Sequence, residues 1–167
     1  MRRVRLFLSV ALVAVSLVLG VTALASPGVA ASGSAVGRVQ ARSVAPSYDA
    51  LVLHYTNVQR RKHGLRALRA AYCLDRYATS WTRSMAVNDS FRHQSLRPIL
   101  TRCHQRTAGE NIARGRPTLG AAEVVNLWMH SPGHRANILN KRYRYLAVDA
   151  WRSTSTNYVY VTQDFAG

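Results

Sequence analysis

Acidic side chains are scarce in this chain: seven Asp and Glu stand against 23 Lys and Arg in 167 residues, a formal net charge of +16. Any two-carboxylate mechanism must draw on Asp49, Asp75, Asp89, Glu110, Glu123, Asp149 and Asp164, and local spacing marks no pair among them. Lysine is scarcer still, at two residues against 21 arginines. Beyond residue 46 there is no Gly-x-Ser-x-Gly elbow and no phosphate-cradling glycine loop, so those hydrolase and nucleotide-binding signatures are absent. His130 and His134 have the four-residue spacing of a zinc helix, but Pro132 and Gly133 interrupt it and no Glu follows His130, which excludes the metalloprotease motif. There is no internal repeat. Hydrophobic residues at 48% and charged residues at 18% provide for a packed core and exclude wholesale disorder, collagen and a multi-span membrane protein.

Only the first 25 residues are long and apolar. Arg2, Arg3 and Arg5 precede an uncharged stretch over 6–25 that ends in Ala23-Leu24-Ala25, the small-x-small form of a signal-peptidase site. The stretch is also long enough to serve as a membrane anchor, but Ser9, Ser16, Gly20 and Thr22 dilute it and Ser26-Pro27-Gly28 ends it, so the expectation is cleavage and secretion. Residues 26–46, rich in Ser, Gly, Ala and Val without a periodic apolar face, read as a flexible linker, and 47–167 as one folded domain. The chain remaining after cleavage keeps 20 basic and 7 acidic side chains and has no membrane span.

Cysteine is nearly absent. Cys73 and Cys103, an even pair in an exported chain, predict one disulfide rather than a nucleophilic thiol. Apolar spacing predicts helices over 46–63, stopped by Gly64, over 73–87, with Leu74, Ala78, Trp81 and Met85 as a core stripe, over 97–101 and over 119–129, with Thr118 near the start of the last. Ser131 as N-cap and Pro132 in the first turn predict a further helix carrying residues 134–139. Strands over 145–151 and 158–165, joined by a polar hairpin loop, close the chain. Helices first and antiparallel strands late make the class α+β.

Three segments concentrate the polar chemistry: Phe91-Arg92-His93, Gly109-Glu110-Asn111-Ile112, and Trp128-x-x-Ser131-Pro132-Gly133-His134-Arg135-x-Asn137-Ile138-Leu139. With Asn57-x-x-Arg60, Gly64-Leu65 and Val161-Thr162-Gln163-Asp164-Phe165, and in this order, they resemble the CAP superfamily, which groups the cysteine-rich secretory proteins, antigen 5 and the pathogenesis-related proteins of group 1. The resemblance spans about 48–167. It implies an α–β–α sandwich with a small antiparallel sheet between helical layers, and a cleft lined by two histidines and two acids. His93, Glu110 and His134 match three of those positions. The fourth, three residues after the tryptophan, is Ser131 here, a departure that weakens any inherited metal site. Asn111 is the neighbour placed to fix the cleft. The resemblance also implies extracellular ligand binding, of lipid, sterol or glycan, rather than catalysis. No catalytic residue is assigned and no cofactor is required.

From their chemistry alone, His93, Glu110 and His134 admit three arrangements: three zinc ligands with an open fourth position, a hydrogen-bond network pinning helix to sheet, or a carboxylate beside a protonated imidazole. Zinc is the one cofactor they would take, and a zinc-bound water would make the alternative function a cleft hydrolase. His54, His63 and His104 read as surface or capping residues, His130 as a neighbour of the cleft, and Trp81, Trp128 and Trp151 as core. The arginine excess suggests an anionic cell-surface polymer as a partner, with Arg60-Arg61-Lys62-His63 and Lys141-Arg142-Tyr143-Arg144-Tyr145 as its candidate contacts; a solvated helix end and strand lead-in account for the same runs. No specific nucleic acid is expected, and the expected state is a monomer.

Overall fold

The structure, a computed structural model, describes residues 47–167. The expected signal segment 1–25 and linker 26–46 lie outside the described residues. Helix α1 spans Tyr48–Lys62. Its end follows from Gly64, whose φ of 68° suits a residue without Cβ: Leu65 N–H bonds Arg60 C=O and Gly64 N–H bonds Arg61 C=O, each at 3.0 Å, the two closing bonds of a Schellman turn. The two-residue strand β1, Arg69–Ala70, leads into α2, Tyr72–Asn88, which turns Leu74, Ala78, Thr82 and Met85 inward. The short α3, Arg97–Arg102, follows a segment without regular structure. Strand β2 is Ala108–Gly115, α4 is Ala121–Met129, α5 is Pro132–Ile138, β3 is Tyr145–Arg152 and β4 is Val159–Ala166.

The strands form one sheet in the order β1-β3-β4-β2. Pairing is antiparallel between β3 and β4 and between β4 and β2, whereas β1 runs parallel to β3 over its two residues, so the expected antiparallel sheet carries one parallel edge. Helix α2 packs against β3 and β4, and α1 packs against β3 and α4, giving the expected α–β–α layering. The larger core joins Val52 of α1 to Val124, Val125 and Trp128 of α4 and to Leu146, Val161 and Phe165 of the sheet. On the opposite face, Leu74, Ala78, Met85 and Ile99 meet Ala147, Tyr160 and Ala166. Among the described residues no helix is long and apolar enough to cross a membrane.

Two elements went unread in the sequence. Strand β1 is too short for a period. Strand β2, Ala-Gly-Glu-Asn-Ile-Ala-Arg-Gly, has one β-branched residue, glycine near both ends and polar side chains inside. It is held instead by eight register pairs with β4. It is also an edge strand, and three side chains cover alternate carbonyls over its first five residues: Tyr143 OH donates to Ala108 O at 3.0 Å, Asn137 Nδ2 to Glu110 O at 3.0 Å and Trp128 Nε1 to Ile112 O at 3.1 Å. This close cover explains Gly109, where a Cβ would collide with the Tyr143 hydroxyl.

Smaller expectations shift by a residue or two. Helix α4 starts at Ala121, with the Glu123 side chain reaching back to Gly120 N–H and Thr118 taking no part in the cap. Ser131 occupies the N-cap of α5 without a side-chain bond; its carbonyl accepts from Arg135 N–H at 2.8 Å. Trp128 is core, but Trp151 lies 40% exposed beneath the Arg83 guanidinium, and Trp81 Nε1 bonds Arg92 O at 3.0 Å, tying the 89–96 segment to α2. Trp81 is thus held by a loop carbonyl, and Trp151, on β3, lies under a side chain of α2.

Candidate functional site

The register of β2 against β4 builds the site from below. Glu110 stands opposite Asp164, and Asn111 opposite Gln163. Because strand side chains alternate, the two carboxyl groups share the α2 face and the two amides share the α1 face. The Glu110 side chain is 2% exposed. Its Oε1 accepts from His93 Nδ1 at 2.6 Å and from Gln94 N–H at 3.1 Å, and its Oε2 from Gln94 Nε2 at 2.9 Å. Gln94 Nε2 also reaches both Asp164 oxygens, each at 3.0 Å, so one amide bridges two buried acids. The His93 ring above them is 60% exposed. A buried carboxylate thus fixes an exposed imidazole through Nδ1, leaving Nε2 as its remaining polar atom.

His134 enters from α5, beyond the β2 edge. Asn111 Nδ2 donates to His134 O at 3.1 Å and to Gln163 Oε1 at 3.0 Å; Asn137 Nδ2 donates to Asn111 Oδ1 at 3.0 Å; and Gln163 Nε2 donates to Thr56 Oγ1 at 2.8 Å. This chain of amides fastens α5 and α1 to the edge strand β2 and its neighbour β4. Burial, and then the charge of His93, pull the His134 imidazole below its ordinary value and favour its neutral form. The structure therefore brings His93, Glu110, Asn111 and the α5 backbone at His134 into one region at the sheet edge. His130 is not drawn in: its Nδ1 meets Asn126 O at 2.8 Å at the end of α4. His63 likewise caps α1 through Gln59 O, and His54 and His104 are exposed.

Asp164 and Gln94 are neighbours of Glu110 that sequence spacing did not mark. Burial and the facing Glu110 hold the Asp164 carboxyl well above the usual carboxylate range, against the lowering pull of the Gln94 amide. A carboxyl whose native pKa is raised binds its proton more tightly folded than unfolded. It contributes most below about pH 4, and that contribution is lost as pH rises through the native value. Asp164→Asn, which keeps an oxygen for Gln94 and cannot ionise, is expected to gain about 1 kcal/mol over the wild type at pH 8 and nothing at pH 4. Urea unfolding at the two pH values measures this, and identical differences at both would refute it.

Among the described residues, no three His, Cys, Asp or Glu side chains group as a metal-holding set. The donor chemistry agrees, since Glu110 is buried under three donors and position 131 carries a hydroxyl where the resemblance implies an acid. Two imidazoles remain, too few for a three-ligand zinc site with an open position.

A helical layer on each face of a small sheet, with a histidine–carboxylate pair at the sheet's edge, defines a distinct class of domain. Residues 53–165 match the family model described as CAP, the cysteine-rich secretory protein family, and the chain belongs to that family. It is 35% identical over 136 residues to the uncharacterised protein YkwD of Bacillus subtilis, covering 76% of this chain and 50% of that protein. Among solved structures, it resembles an extracellular protein containing a SCP domain from Bacillus anthracis, with TM-score 0.62 and 26% identity over 71% of this chain and 40% of the other. It also resembles a cysteine-rich secretory protein from Staphylococcus aureus, with TM-score 0.55 and 25% identity over 69% and 37%. The chain spans about half the length of the first of these and less of the other two.

Proposed function

We propose that this CAP domain is exported and that its His93–Glu110–His134 site, with Asn111 and Ser131 beside it, binds an extracellular ligand without catalysing a reaction. The observation that carries this is the state of Glu110: three donors occupy a carboxylate that is 2% exposed. A general base must reach the proton it removes, and a ligand-bearing carboxylate must reach its metal. Glu110 does neither and instead aims His93. What the site offers outward is one oriented imidazole nitrogen beside a second, neutral imidazole, a pair suited to hydrogen bonds with hydroxyl or carbonyl groups of a glycan or sterol-like molecule. Export is supported by the n-region, apolar stretch and Ala23-Leu24-Ala25 of the sequence, by the disulfide, and by the extracellular description of the Bacillus anthracis relative.

The test has two arms, both on the full chain. Ring resonances of His93 and His134 are followed while a soluble chitin disaccharide and a sterol sulfate are added in turn. Saturating shifts with one of them, lost in His93→Ala, are expected. Calorimetric titration with Zn²⁺ is expected to show no one-to-one site of micromolar affinity. Silent rings together with micromolar zinc binding that both His93→Ala and His134→Ala abolish would overturn the proposal in favour of a metal-dependent hydrolase.

A further inference from the structure

The two basic runs of the sequence are far apart in the chain, and the structure joins them. Arg60, expected at the surface, is 1% exposed. Its Nε donates to Arg66 O at 2.9 Å, Nη1 to Ile138 O at 2.7 Å and Asn140 O at 2.9 Å, and Nη2 to Tyr143 O at 3.4 Å. One buried guanidinium thereby clamps the turn after α1 against the loop before β3. Strand β1 extends the junction, with Arg69 N–H bonded to Arg144 O at 2.9 Å.

Above this clamp lie two adjoining cavities. One, of about 190 Å³, is lined by Arg66, Arg69 and Arg144 with Ala67 and Tyr145. The next, of about 250 Å³, shares Arg66 and Arg144 and adds Lys141. No carboxylate lines either cavity, and among the described residues none of these four cations is in a salt bridge. All four are exposed. Concentrating four unpaired cations around two shallow cavities costs electrostatic free energy that an anion would recover. Two cavities with a common wall of two arginines suit consecutive anions along one chain better than a lone ion.

The charged groups that an arginine fork grips best are phosphate and carboxylate oxygens. Polymers that repeat a phosphodiester differ in what lies between the phosphates. Nucleic acids present successive bases that each need a stacking partner, whereas of the two aromatics in this run Tyr143 is 6% exposed with its ring stacked on Phe165, and the half-buried Tyr145 is the one ring lining either cavity that remains for stacking. A bilayer would need apolar side chains to insert, and the exposed large ones, Tyr72, Val87, Phe91, Leu127, Trp151 and Tyr158, all lie outside the two cavities. We propose that Arg66, Arg69, Lys141 and Arg144 form a track for a linear polyol-phosphate polymer, a second binding surface independent of the His93 site.

Fluorescence anisotropy on the full chain tests this with a labelled poly(glycerol phosphate) of defined length. Arg66→Ala/Arg144→Ala is expected to weaken binding at least tenfold and to flatten the dependence of log affinity on log salt by about one to two units. Neither guanidinium makes a hydrogen bond among the described residues, so the variant keeps its fold, which circular dichroism verifies. Arg76→Ala/Arg97→Ala removes the same charge elsewhere and is expected to change affinity less than twofold, as is His93→Ala. Equal losses in the two arginine pairs would reduce the effect to net charge and overturn the proposal. A loss in His93→Ala would do so by moving the polymer to the other site. Tighter binding to an oligo-dT of matched charge, or to phosphatidylglycerol vesicles, would overturn it in favour of a nucleic acid or a membrane surface.

Discussion

Replacing Arg60 by Met is expected to cost about 3–5 kcal/mol, the largest loss of any single side chain considered. Met keeps the length and apolar stem but donates nothing, so the carbonyls of Arg66, Ile138, Asn140 and Tyr143 lose their shared donor, two of the four bonds being buried and two part-buried. Hydrogen bonds to a charged group contribute about 1.5–3 kcal/mol each, and four on one group are not additive, which sets the range below their sum. Burial works against the native state too, drawing the guanidinium below its ordinary value without a carboxylate to compensate. The balance still favours Arg because one planar fork reaches carbonyls of two loops that the backbone joins only through the two-residue strand β1. Arg60→Lys keeps the charge with a single donor centre and is expected to fall between the two. Urea midpoints give the loss, and faster amide exchange in segments 64–68 and 139–144 gives its location. A midpoint for Arg60→Met within experimental error of the wild type would contradict the clamp.

Removing the disulfide is expected to cost about 3–4 kcal/mol. Cys73, at the start of α2, is joined to Cys103, which caps α3, across a sequence separation of 30. Fixing the ends of a loop of that length removes chain entropy from the unfolded state by about this amount. The closed loop includes the 89–96 segment that has no regular structure and carries His93 and Gln94. Cys103 is itself packed with Leu74, Ala78 and Ile99. In Cys73→Ser/Cys103→Ser the thermal midpoint should fall by roughly 10–20 °C, and the His93 ring should lose its fixed orientation before the sheet melts. Equal midpoints for the oxidised wild type and the double variant would contradict the assignment.

The sequence was readable where a local period or cap decides the structure. The Gly64 stop of α1, the inward stripe of α2, the proline-led α5 and the two closing strands joined by a polar loop all follow from neighbours within a few residues. Strand β2 was not readable, because its stability comes from pairing with β4, more than forty residues later, and from side chains of α4, α5 and Tyr143 that cover its edge. The same difference divides the site. His93, Glu110, Asn111 and His134 stood out through the order of short segments. Gln94 and Asp164 did not, since Gln94 acquires its role from a loop laid over two strands and Asp164 from a register that no spacing encodes. Arg60 shows the opposite failure: one run of four basic residues contains both a buried clamp and exposed cations, and charge alone cannot separate them.

The most direct test of the central claim, that Glu110 serves to aim His93, is the ring tautomer of His93 by long-range ¹H–¹⁵N correlation at pH 8, above the ordinary imidazole range. The geometry predicts the proton on Nδ1, held by Glu110 Oε1, with Nε2 bare, and loss of that preference in Glu110→Ala. A proton on Nε2 in the wild type, with Nδ1 bare, would contradict it and leave Glu110 free for other chemistry.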